Sequence, residues 1–200
     1  MAEQFLDRQT QPELDEAYFN ASEQVPPHAV LYELEPYLNP SGKALELGAG
    51  AGTAAQWLSD KGYEVVAIDN SPTAIERLRS RFFENTLVKV IEGDFSRMEL
   101  PAVDVIIAGF SLFFVPKWRF KRAWNTISNS IKPGGLFAGQ FLGKNDEWND
   151  GKMTIHSARS LKNLLQDFEI LYWEEVDREG KTVVNKAKHW HIFHVVARKQ

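Results

Sequence analysis

What most constrains the fold of this chain is an alternation of two patterns. Short, almost continuous apolar runs lie at Ala44–Leu47, Glu64–Ile68, Leu87–Ile91, Val103–Ala108 and Leu136–Phe141. Strands that are apolar at nearly every position are buried on both faces, unlike the half-wet strands of most antiparallel sheets. Between the runs the spacing becomes helical. Thr53–Asp60 reads as a helix stopped by Lys61-Gly62. Ser71 then caps a helix that opens on Pro72 and carries Ala74, Ile75, Leu78 and Phe82 on one side. Lys117–Ile131 is a third helix, ended by Lys132-Pro133-Gly134-Gly135. Strand–helix alternation of this kind predicts a parallel sheet between two helical layers.

The two ends differ from this core. Residues 1–12 are expected to be a loose arm, Pro12–Asn20 a short helix anchored by Tyr18 and Phe19, and His28–Leu38 a helix set up by Pro26-Pro27. In the tail, Ser157–Phe168 reads as a helix. Glu169–Val176 and His189–Ala197 read as strands around a polar loop with Glu179-Gly180, an antiparallel hairpin at one edge of the sheet.

Two hundred residues, 44% hydrophobic and 25% charged, suffice for one core and one domain. No apolar run reaches membrane-spanning length, and the polar, acidic start is not expected to be a secretory leader. The absence of cysteine excludes disulfides and a thiolate nucleophile and agrees with a cytoplasmic location. A net charge of −4 offers no general attraction to phosphate backbones, so no nucleic-acid partner is expected, and no membrane partner either. The sequence carries no marker of oligomeric state.

In an open α/β sheet, ligands bind beyond the carboxyl ends of the strands. After the first strand comes Gly48-Ala49-Gly50-Ala51-Gly52, which lets a ligand touch backbone in front of a helix N-terminus. A dinucleotide loop follows G-x-G-x-x-G, but Thr53 stands at the third glycine position, and no Walker Lys-Ser/Thr follows. Glu46 precedes the loop; a carboxylate there repels phosphate and favours a cationic ligand. Asp69 ends the second strand, where an acid can accept both hydrogen bonds of a ribose diol. Asp94-Phe95 follows the third strand, with an acceptor for an exocyclic amine and a ring to stack on a purine. Gly109-Phe110 follows the fourth and is placed to border the reacting centre. Each acid also has a structural reading: Glu46 paired with Lys43, Asp69 as part of a helix cap, Asp94 as a turn residue.

Taken in order, Glu46–Gly52, Asp69, Gly93-Asp94 and Lys132–Gly135 resemble the motif series of the class I S-adenosylmethionine-dependent methyltransferases, over roughly residues 40–142. The resemblance implies S-adenosylmethionine as cofactor. It places Asp69 at the ribose hydroxyls, Asp94 at the adenine amine and Phe95 at its ring. Glu46 and the backbone of Gly48, Ala49, Gly50 and Gly52 fall beside the methionine end, and Asn70 is counted with the cofactor-binding set. The whole chain also resembles small superfamily members related to the tellurite-resistance methyltransferases, partly through Lys188–Arg198. The expected architecture is a single Rossmann-like α/β domain, a doubly wound mixed sheet of about seven strands with an antiparallel carboxyl-terminal hairpin. Residues 1–40 would form a helical cap, 41–142 the cofactor-binding core, and 143–200 a lid loop, helix and hairpin.

Methyl transfer from a sulfonium is an in-line displacement from an activated donor, so alignment and water exclusion come first and no catalytic residue is assigned. The acceptor pocket is expected to draw on Tyr18 and Phe19, on Phe110–Phe114, and on the polar 144–156 loop as a lid. His156, Arg159, His189 and His191 are candidates for its polar wall. His189 and His191 share one strand face and His194 lies on the other. An H-x-H pair can bind zinc with His156 as a third ligand, but without cysteine or a fourth ligand no metal is assigned. Arg77, Arg79 and Arg81 read as a solvated helix face. With no basic strip and no recognition domain, a small-molecule acceptor is favoured: a thiol, a chalcogen oxyanion or another small metabolite. The competing readings are a nicotinamide-dependent oxidoreductase on a related fold and a non-catalytic S-adenosylmethionine-binding regulatory module.

Overall fold

A computed structural model describes residues 12–23 and 25–200. The expected arm over residues 1–12 lies outside the described residues, apart from Pro12, which opens the first helix. In chain order the elements are α1 (Pro12–Glu23), α2 (Ala29–Leu34), β1 (Gly42–Leu47), α3 (Thr53–Ser59), β2 (Tyr63–Asp69), α4 (Pro72–Arg81), β3 (Val88–Glu92), β4 (Val103–Ala108), α5 (Lys117–Ser130), β5 (Ile131–Gly143), β6 (Ile155–His156), α6 (Ala158–Leu164), β7 (Phe168–Lys181) and β8 (Ala187–Lys199).

They form one mixed sheet in the order β3-β2-β1-β4-β5-β8-β7, with the short β6 paired beside β5. Strands β1 to β5 run parallel, and β8 runs antiparallel to both neighbours. The hairpin is therefore present, but its second arm is not the edge. β8 enters between β5 and β7, and β7 becomes the outer strand.

Side-chain parity divides the core. On one face Leu45, Leu47, Ile68, Ile106 and Phe137 pack under Trp124, Ile127 and Leu161 of α5 and α6. On the other, Ala44, Val65, Ala67, Val105, Ile107 and Val196 pack under Val30, Leu34, Leu58, Ile75 and Leu78 of α2, α3 and α4. Burying both faces explains why the parallel strands lack polar alternation. The strand registers bring Leu47, Asp69 and Ala108 to one end of the sheet: Leu47 pairs with Ile68, Asp69 with Glu92, and Glu46 with Ile107.

Several boundaries differ from expectation. β5 starts at Ile131, directly at the end of α5, instead of after the glycine pair. Gly134 takes a φ of 78°, and a Cβ at Gly135 would lie 2.9 Å from the Asp104 and Lys132 carbonyl oxygens, so the strand passes through the glycines because they lack side chains. The Arg77 helix face is not simply solvated. Its guanidinium bonds Glu23 Oε1 and Asn20 Oδ1, both at 2.8 Å, and lies over the Phe19 ring, tying α1 to α4. Arg81 donates to the Ala51 carbonyl at 2.9 Å.

Candidate active site

The glycine loop is built as a cradle. Gly48, Gly50 and Gly52 all have positive φ (71°, 53° and 74°), a region costly for residues with a Cβ. Gly48 and Ala49 donate backbone hydrogen bonds to the Ile68 carbonyl, fastening β1 to β2. A Cβ at Gly48 would fall 2.5 Å from Ser111 Cβ, and one at Gly52 would strike Leu78 and Phe82. At Gly50 nothing lies within 4 Å. Two glycines thus serve packing, and the third presents bare backbone to open space.

Glu46 shares its face with Ala44, which points it under α3. It is 5% exposed, and its Oε2 accepts from the Ala55 amide at 2.8 Å. Burial raises its carboxyl from the ordinary 4.5 to about 8, against the pull of the Ala55 and Ala54 amides; Asp69 adds to the rise and Arg81 opposes it. The partner the structure supplies for this acid is the start of a helix, not Lys43, whose ammonium lies 3.9 Å from Glu64. Parity in β1 was a usable sign of that placement.

Asp69 is likewise buried and committed to backbone. Its Oδ2 accepts from Gly50 and its Oδ1 from Ser71, each at 2.8 Å, so the acid holds the glycine loop against the entry to α4. Its lone pairs outnumber these bonds, which leaves it acceptor capacity. Asn70, next along, is exposed at the same strand end. Asp94 accepts from the Ser96 amide and hydroxyl at 2.9 and 2.6 Å, and meets Arg97 at 2.9 Å and Arg119 at 3.3 Å. Phe95 packs at the margin of the α5 core beside Ile91 and Met98.

Phe110 is the one strained residue at the strand ends. Its φ of 52° is unusual for an aromatic and places its amide on the side chain of Gln140, at 3.1 Å from Oε1. Gln140 is fully buried in β5, directly opposite His194 of β8, which in turn faces Glu174 of β7. His28, at the start of α2, closes this row. Its ring stacks on His194 at 4.8 Å and meets the Phe110 ring edge-on at 5.1 Å, while Trp190 meets Phe110 at 5.8 Å. Burial lowers His28 to about 4 and lowers His194 too, so both rings are neutral at pH 7. Sequence reasoning passed over His28 and Gln140. A lone glutamine in the run LFAGQF was the available sign, because a buried amide needs partners.

The four proposed wall residues have other surroundings. His156 lies against Phe120 and Phe141 on the α5 face, its buried Nε2 has no partner, and burial lowers it to about 4. His189 is held between Asp177 and Glu179, each at 2.8 Å, which raise it. His191 is buried, accepts from the Asn145 amide at 3.2 Å, and covers Gly143. Arg159 is exposed at the start of α6. The 144–156 segment is fastened down. Asp146 is 3% exposed, pairs with the buried Lys188 at 2.5 Å and accepts from His191 N at 3.0 Å, and Thr154 bonds Phe113 and Val115.

Comparison with known proteins agrees with this geometry. A family model described as a methyltransferase domain matches residues 45–139. The chain is 32% identical over 153 residues to a carboxy-S-adenosyl-L-methionine synthase of Pseudomonas syringae pv. tomato, covering 72% of this chain and 58% of that protein. It spans little more than half the length of such relatives; for the one from Erwinia tasmaniensis, 28% identical, the share is 55%. Among solved structures, TehB from Haemophilus influenzae superposes with a TM-score of 0.76 at 19% identity, covering 87% of this chain and 63% of that one. The N-methyltransferase NodS from Bradyrhizobium japonicum, in complex with S-adenosyl-L-homocysteine, gives 0.67 at 15% identity and 85% of each chain. The sheet order, the glycine cradle and these matches define a class I S-adenosylmethionine-dependent methyltransferase fold. The matched residues run from β1 into β5 and include the glycine cradle, Asp69 and Asp94.

Proposed function

We propose that this chain transfers the methyl group of S-adenosylmethionine to a small-molecule acceptor. The observation that carries the reading is the bare backbone at Gly50, open on one side and held on the other by Asp69, with acids at two adjoining strand ends. Asp69 or Asn70 would meet the ribose, the Asp94-Phe95 corner the adenine, and Glu46, through the loop it steadies, the cationic methionine end. Gly109 and Phe110 then face the sulfonium. The acceptor would enter between α2 and β8, over Phe110, with residues 12–40 as the cap. The protein's part is to hold donor and acceptor in line and to keep water out.

Calorimetry with S-adenosylmethionine and S-adenosylhomocysteine tests the cofactor; no binding of either sinks the proposal. A screen of thiols, amines and phenols for S-adenosylhomocysteine release then tests the transfer. The names of the relatives raise a second reading, that the chain carboxylates its cofactor. Mass spectrometry of cofactor recovered from the purified protein separates the two, since the synthase reading requires a carboxylated sulfonium.

A further inference from the structure

The His28–Gln140–His194 cluster fixes the protons of both rings. Gln140 Oε1 faces the Phe110 amide, a donor, at 3.1 Å. The amide nitrogen therefore faces the imidazoles, 3.1 Å from His28 Nδ1 and 3.4 Å from His194 Nδ1. His28 Nδ1 also accepts from the Val30 amide at 3.2 Å, so a reversed Gln140 would set its oxygen against an acceptor. Two backbone donors thus orient one side-chain amide, and the amide donates to both Nδ1 atoms. A neutral imidazole that accepts at Nδ1 carries its proton on Nε2.

Among the described residues neither Nε2 has a hydrogen-bond partner. Among the described residues the one buried side-chain polar atom lacking a partner is His156 Nε2, so the Nε2–H groups of His28 and His194 are open to solvent. They belong to two nearly parallel rings, 15° apart, beside the edge of Phe110 and within an aromatic surround that includes Trp190. The surrounding charges are few. Glu174 of β7 acts on both rings and is bonded by the Tyr172 hydroxyl at 2.9 Å, and Glu33 of α2 acts on Tyr172. These carboxylates disfavour an anion at the open N–H groups.

We propose that His28 and His194 form a paired N–H donor site that receives a neutral oxygen, a carbonyl or amide oxygen, of a flat methyl acceptor. The inference rests on the methyl-transfer reading of the same site. The histidines then act as neutral donors that orient the acceptor, not as bases, because the Nδ1 lone pairs are already engaged. A neutral imidazole polarising a carbonyl is an established use of a histidine whose charged form is suppressed.

The test uses the full chain, nitrogen-15 labelled and saturated with S-adenosylhomocysteine, with benzamide as the probe. Imidazole spectra at pH 7 should show both rings protonated at Nε2 and bare at Nδ1. Benzamide should shift both Nε2–H signals. Benzylamine, which has the ring but a cation in place of the carbonyl, should leave them unmoved. His28→Phe and His194→Phe should each weaken benzamide on the order of tenfold, the usual effect of removing one hydrogen bond. A proton on either Nδ1, no response to benzamide, or an equal response to benzylamine overturns the proposal, and the native protein alone delivers all three readouts. Calorimetry with S-adenosylhomocysteine on the same sample keeps the two questions apart. Its failure to bind removes the methyl-transfer reading while the tautomers and the benzamide response stand or fall separately.

Discussion

Glu46 gives the sharpest quantitative consequence of this structure. Its carboxyl titrates near 8 in the fold and near 4.5 when exposed, so the folded chain holds a proton that the unfolded chain has lost across that window. The contribution of this group to stability then falls as pH rises from 4.5 to 8, the direction for an acid whose folded value is raised. Integrated between pH 5 and pH 8, this one group removes about 3 to 4 kcal/mol. Glu46→Gln keeps an oxygen for the Ala55 amide and cannot ionise, so it lacks the slope. Urea unfolding of ligand-free parent and variant at pH 5 and pH 8 isolates the effect, because every other titrating group cancels in the difference. The variant should gain about 3 to 4 kcal/mol on the parent between the two pH values, or about 10 °C in a thermal scan. Parallel stability curves would refute the claim that the acid is buried and protonated.

The same proton should appear in binding. At pH 7 the parent is expected to release about 0.9 proton more than Glu46→Gln on taking up S-adenosylmethionine, read by calorimetry in buffers of different ionisation heat; equal release would show that ligand charge does not reach Glu46. Gly50→Ala should cost only about 1 kcal/mol of stability, since φ is strained but space is free, yet abolish cofactor binding; Gly48→Ala should destabilise more by its clash with Ser111, as denaturant midpoints would show. Arg77→Ala should leave the sheet unaffected and loosen α1, seen as faster amide exchange over residues 12–23. Lys188→Ala should cost about 3 to 5 kcal/mol, because Asp146 would stay buried without its cation; chemical denaturation checks it.

The core of the fold was legible because each parallel strand announces itself. VVAI and VIIA admit no wet face, and capping residues such as Ser71 close the helices between them. The hairpin was legible too, but not the slot it fills, since pairing order leaves no mark on periodicity. At the site, the glycines and the acids were read correctly as strand-end residues. What the sequence hid was their direction. Glu46 spends its bond on a backbone amide in the first turn of α3 and Asp69 on amides of the glycine loop and the entry to α4, and such partners leave no side-chain pattern to recognise. The surroundings of the histidines were hidden for a related reason. The H-x-H pair stood out by spacing, yet His189 and His191 serve ion pairs and packing of the hairpin. His194 is set apart by contacts from residues far away in sequence: Gln140, set opposite it by the β5–β8 register, and His28, brought over it by the packing of α2.

That register carries a consequence for how the molecule assembles. β7 is made before β8 but cannot join the sheet until β8 is in place beside β5, since it touches no other strand. The crevice between β1 and β4 needs only residues that leave the ribosome early, whereas the His28–His194 contact waits for the last strand. In a growing chain the residues of the cradle are therefore available before those of the histidine pair, and β7 has no neighbour in the sheet until β8 is added. The acidic residues of β7, Glu169, Glu174, Glu175, Asp177 and Glu179, are well suited to keep that strand from pairing with another chain while it waits.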